Sequence, residues 1–115
     1  MNTNGVLTTY EELERAGTFE HRTLKEEGTR RLRLKCRGWY KKTYSMGLVC
    51  YFEDPKQPDE KWQLFCFRHK VGGREIYNPK GSSVDFSKVP DGTIWDVTVE
   101  TQKGNYVWTN AKEVA

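Results

Sequence analysis

Between residues 30 and 42 the chain carries seven basic side chains and no acidic one. Arg31, Arg33, Lys35, Arg37 and Lys41 fall on odd positions, with Trp39 among them. On a regular β-strand alternate residues share one side. The segment therefore predicts a row of cations with an indole set into it. Such a row matches the phosphates of a nucleic acid, and the indole offers a base a stacking surface. Like charges this close repel one another, so the row needs a partner or nearby carboxylates. Arg30 and Lys42 add charge at its ends. A rival source of neutralisation is the acidic stretch from Glu11 to Glu27, folded back over the strand.

A second feature is the supply of aromatic rings, four Trp, six Tyr and five Phe. Large rings fill cores. In the stretch 62–67, however, Trp62 and Leu64 alternate with Phe65 and Phe67, so both sides are apolar. A sheet wet on one side is polar there. One of those two sets is therefore expected to face a partner, a ligand or another element of the chain.

Other chemistries are poorly served. Cys36, Cys50, Cys66 and His69 supply the atoms of a Cys3His zinc set, but no paired C-x-x-C knuckle is present. On a regular strand Cys66 and His69 point to opposite sides, which also denies the thiol an activating imidazole. His21 and His69 are the only histidines, and no glycine-rich phosphate loop, H-E-x-x-H or G-x-S-x-G occurs. The expectation is a non-enzymatic chain that needs no metal and no cofactor.

The elements that must position these residues read mostly as strand and turn. Residues 30–44 alternate basic side chains with Leu32, Leu34, Cys36, Tyr40 and Tyr44, and Gly38 interrupts the apolar side. Further strands are expected over 48–53, 61–70, 75–77, 93–101 and 106–109, with Trp95, Val97 and Val99 forming one inward row. Turns are marked by Gly72-Gly73, Asn78-Pro79-Lys80-Gly81, Pro90-Asp91-Gly92 and Gln102-Lys103-Gly104-Asn105, and the Pro-containing acidic stretch 53–60 is a loop. Ahead of them, Thr9 and Glu12 have the spacing of a capping box. A short helix follows, with Tyr10, Leu13 and Ala16 on one side and Gly17 ending it.

These elements predict a mainly β domain with one short N-terminal helix. The expected architecture is a five- to six-stranded antiparallel barrel or sandwich, OB- or SH3-like. Residues 1–7 are expected to be a flexible lead-in and 8–115 a single domain, which 115 residues can support without metal or disulfide. An odd number of cysteines outside any paired motif, with neither a secretory signal nor a spanning apolar run, predicts a reduced cytoplasmic protein. The net charge of +3 hides an acidic N-terminal stretch beside a concentrated basic strand. The function this predicts is binding of single-stranded DNA or RNA through Arg31, Arg33, Lys35, Arg37, Trp39 and Lys41. The alternative is an interaction module, a small accessory or inhibitor protein, that docks an acidic partner protein.

Overall fold

Alternating patterning turns more than half of the chain into strand. The computed structural model describes residues 5–41 and 46–114. In chain order these are β1 (Val6–Leu7), α1 (Tyr10–Arg15), a 3-10 turn (Thr18–Glu20), β2 (Arg22–Thr23), β3 (Gly28–Lys41) and β4 (Met46–Glu53). They continue with β5 (Lys61–Val71), β6 (Arg74–Asn78), β7 (Ile94–Gln102) and β8 (Asn105–Glu113).

The strands form one mainly antiparallel sheet in the order β2-β5-β4-β3-β7-β8. β1 adds to β3 in parallel, β2 to β5 in parallel, and β6 pairs with the far end of β5. The expected barrel or sandwich is thus replaced by a single eight-stranded sheet that curls without closing. β5 and β8 come within 8 Å of each other, yet no ladder joins them among the described residues. The loop after β6 spans the gap at one point, where the Gly81 N–H donates to the Thr109 carbonyl at 2.7 Å.

The concave side holds the core. Leu32, Leu34, Leu48, Phe52, Leu64, Trp95, Val97, Val99 and Trp108 are buried there. Phe86, from the loop between β6 and β7, sits edge-on to Trp108 (4.9 Å between centroids) and tilted on Trp95 (4.7 Å). The alternation expected for β7 is what forms. On the convex side, α1 and the following turn cover a second cluster of Cys36, Val49 and Tyr51. This explains why β4 is apolar on both sides.

The capping box on α1 is present, with the Thr9 hydroxyl accepting from the Glu12 N–H and the Glu12 carboxylate accepting from the Thr9 N–H. Leu13 and Ala16 face the sheet as expected. Tyr10 does not: its ring turns outward and leans on Phe19 at 5.1 Å. The lead-in also departs from expectation, because Val6 and Leu7 pair with Arg37 and Gly38, and Val6 is fully buried. The rest of the expectation for 1–7 concerns residues 1–4, which lie outside the described residues, as do residues 42–44 of the expected basic strand.

Candidate nucleic-acid interface

One residue decides the geometry of the basic strand. Leu34 pairs with Phe52 and Cys36 with Tyr51, so Lys35 is an extra residue in β3, a β-bulge. An inserted residue reverses which positions face each side of a sheet. Before the bulge, even positions (Leu32, Leu34) enter the core and odd positions (Arg31, Arg33) face water. After it, Cys36 joins the convex cluster while Arg37 and Trp39 turn to the concave side. Gly38 then lies under α1, where a Cβ would stand 2.9 Å from Leu13 Cδ2. Its lack of a side chain lets the helix approach.

The expected single row of cations is therefore split. Arg31 stays outside with its side chain 60% exposed, and forms a two-pronged pair with Asp96 at 3.0 and 3.2 Å. That contact holds the Asp96 carboxyl below its usual range and the Arg31 guanidinium above its own. Arg33 reaches Glu53 at 3.7 Å and remains partly exposed. Lys35 is half-buried beside Gly17, with its Nζ 3.8 Å from where a Cβ there would stand. Arg37 is the correction: only 2% of its side chain is exposed. Its Nη1 donates to the Phe86 carbonyl at 3.1 Å, and its Nε lies 3.4 Å from Asp91. Arg37 thus clamps the Phe86 loop onto the sheet and presents nothing to a phosphate. Trp39 is likewise removed from the row, packing edge-on against Tyr77 at 5.0 Å. Lys41 pairs with Met46 through its backbone, and its side chain lies outside the described residues.

The acidic stretch neutralises less of this strand than expected. It supplies Glu26 to Arg30 and Glu20 to Lys61. The carboxylates on Arg31, Arg33 and Arg37 come instead from β7, β4 and the loop before β7. Across the convex side, Lys61, Glu53 and Arg33 follow one another on adjacent strands, as do Arg31, Asp96 and Lys112.

The two-sided aromatic stretch also resolves. Trp62 and Leu64 face the core, Phe65 slides under the convex cluster edge-on to Tyr40, and Phe67 is left 40% exposed. Phe67 lines a groove of about 620 Å³ along the unclosed seam between β5 and β8. Leu24, Leu64, Cys66 and Trp108 give it apolar walls, and Tyr106, 47% exposed, supplies a second accessible ring. His69, Asn78 and Lys80 supply its polar part. His69 Nδ1 and Asn78 Oδ1 are 2.9 Å apart, and the Asn78 amide also donates to the Pro79 and Ser82 carbonyls. The only hint of this groove in the sequence is the apolar excess at 62–67, since its other wall is forty residues away.

The thiols considered for metal sit apart in function. Cys36 lies in the convex cluster, where burial pushes its thiol up to about 11. Cys50 and Cys66 lie in the core, and burial also raises the Cys50 thiol well above its usual range. Among the described residues no three His, Cys, Asp or Glu side chains converge on one point. No helix among them is long and apolar enough to cross a membrane. Comparison with known protein families, curated proteins and solved structures finds no match to this chain.

Proposed function

We propose that the chain is a non-catalytic module that binds single-stranded nucleic acid on the convex side of its sheet. The reading rests on Arg31, which is exposed and is held, among the described residues, by the surface carboxylate of Asp96. Exposed ion pairs add little net stability. A phosphate can take the place of Asp96, and counterion release from the nucleic acid then favours the exchange. Arg33, two residues along β3, and Lys112, beyond Asp96 on β8, add further cations on that side, interleaved with Glu53 and Asp96. The α-helix among the described residues is only the six-residue α1, so an unpaired strand suits this surface better than a duplex major groove. Residence in a reducing cytoplasm belongs to the same proposal, which the three free thiols support.

The test is a salt titration of single-stranded oligonucleotide binding. Three phosphate contacts give a log–log slope of about −2, and Arg31→Ala should flatten it by about 0.7. Arg37→Lys should leave the slope unchanged. Absence of binding at low salt would overturn the proposal.

A second reading, docking of a partner protein, is favoured by a separate observation. Tyr10 and Phe19 are 70% and 56% exposed and in contact, an apolar patch on the acidic N-terminal cap. Retained partner capture after Arg31→Ala and its loss after Tyr10→Ser with Phe19→Ser would favour that reading over nucleic acid.

A further inference from the structure

The convex strip does not end at Lys112. Thr98 and Asn110 stand two residues along β7 and β8 from Asp96 and Lys112, on the same side of the sheet. With Gln102 and the carboxylate of Glu100 they line a shallow depression that also includes Lys80. Lys80 lines the groove between β5 and β8 as well. A chain lying on Arg31 and Lys112 is therefore led over a polar shelf, past one lysine, to the mouth of the groove.

The chemistry of the groove suits a flat, polar-edged ring. Two aromatic side chains that a core would normally cover, Phe67 and Tyr106, are left accessible in it. Its walls are apolar, yet one part carries an imidazole locked to an amide. With Nδ1 engaged by Asn78, His69 Nε2 has no hydrogen-bond partner among the described residues. Stacking surface, one in-plane hydrogen-bonding atom and a cation at the mouth are what a base and its phosphate require. A volume of about 620 Å³ is of the size that holds small ligands.

We propose that the groove between β5 and β8 is a base-binding cleft. It takes an unpaired nucleobase onto the Phe67 and Tyr106 rings, offers His69 Nε2 to the edge of the base, and sets Lys80 against the adjoining phosphate. This inference rests on the proposed binding of single strands. It adds that the chain reads bases as well as backbone, with the convex strip and the groove as separate parts of one track.

The deciding experiment compares a short oligothymidylate with an abasic oligomer of equal length, both titrated into the full chain at low salt. The abasic strand should bind about tenfold more weakly, the lower end of base–ring stacking. Tyr106→Ala and Phe67→Ala should each remove most of that difference while leaving abasic binding and the salt slope alone. Tyr106→Phe, which keeps the ring, should restore it. Lys80→Ala should weaken both strands and flatten the slope by about 0.7. Both rings are surface-exposed, and unchanged melting of the variants checks that the fold is intact. Equal affinity for the two oligomers, or a difference insensitive to Tyr106 and Phe67, would overturn the cleft while leaving the convex strip standing. Failure of both oligomers to bind would overturn the strip and the cleft together.

Discussion

The two halves of β3 are built from similar residues and do opposite things. Ahead of Lys35, Arg31 and Arg33 face water while leucines face the core. Beyond it, Arg37 is buried, Cys36 and Gly38 turn to the convex side under the N-terminal cap, and Tyr40 turns to that side against Phe65. Residue type did not choose these faces. Register did, and one inserted residue reversed it. The same guanidinium is an exchangeable surface cation in one half and an internal clamp on a loop in the other.

The sharpest way to break this comparison is to change the register. Deleting Arg33 leaves no pairing that keeps both Leu32 and Leu34 inside, so the variant should lose its cooperative unfolding transition. Deleting Lys35 removes only the extra residue: Leu34 still meets Phe52 and Cys36 still meets Tyr51. That variant should fold. Equal damage from the two deletions, followed by circular dichroism, would show that the bulge is not what divides the strand.

A smaller effect separates the two arginines. Arg37→Ala leaves the buried Phe86 carbonyl unsatisfied, which should cost about 1–3 kcal/mol. Arg31→Ala should leave the denaturation midpoint unchanged within error. Chemical denaturation reads both, and matching midpoints for the two variants would contradict the assignment of Arg37 as the clamp.

The β7 row was legible in the sequence because Trp95, Val97 and Val99 alternate without interruption and Asp96 has only one side left to occupy. The reversal in β3 was not. Leu34-Lys35-Cys36 contains no glycine to signal a bulge, and a cysteine is at home on either side of a sheet. The cap helix announced itself through local capping chemistry, whereas the outward turn of Tyr10 depends on Phe19, placed nearby only by the 3-10 turn. The groove joins β5 to β8 across forty residues, a pairing that no periodicity within either strand encodes.

The cover over the second half of β3 has its own signature. His21 is buried edge-on to Tyr51 at 5.2 Å, and among the described residues neither ring nitrogen makes a hydrogen bond of full geometry. Burial, then Lys35, with Lys61 adding to it, hold its pKa below 6.5, while the Thr18 and Gly17 backbone acts the other way. The unfolded chain therefore takes up this proton first. Stability conferred by neutral His21 is complete above about pH 6.5 and is lost as pH falls below it, by at most about 1.4 kcal/mol per pH unit. Glu20 lies next to His21 but is engaged by Lys61. His21→Phe should remove this part of the pH dependence. A wild-type stability curve flat from neutrality to pH 5 would contradict it.

The smallest effect concerns the Cys36 thiol. With its pKa near 11 and the cap above it, it should react only slowly with a disulfide reagent at pH 8, and denaturation should release three reactive thiols. Loosening the cap by Leu13→Ala should speed one thiol and leave the two in the core slow. Equal acceleration of all three would mean that the cap and the sheet unfold as one.

The contact between Gly81 and Thr109 carries a consequence for behaviour in crowded solution. β8 is the last strand of the sheet, and an unpaired strand edge is a template on which another chain can add. The loop after β6 occupies that edge part-way along, and only glycine fits there, since a Cβ at residue 81 would stand 2.6 Å from the Thr109 carbonyl oxygen. A side chain at this position would lift the loop and offer the edge to neighbouring molecules. The damage would then appear as concentration-dependent aggregation at temperatures where the fold itself still holds, making Gly81 a guardian of solubility.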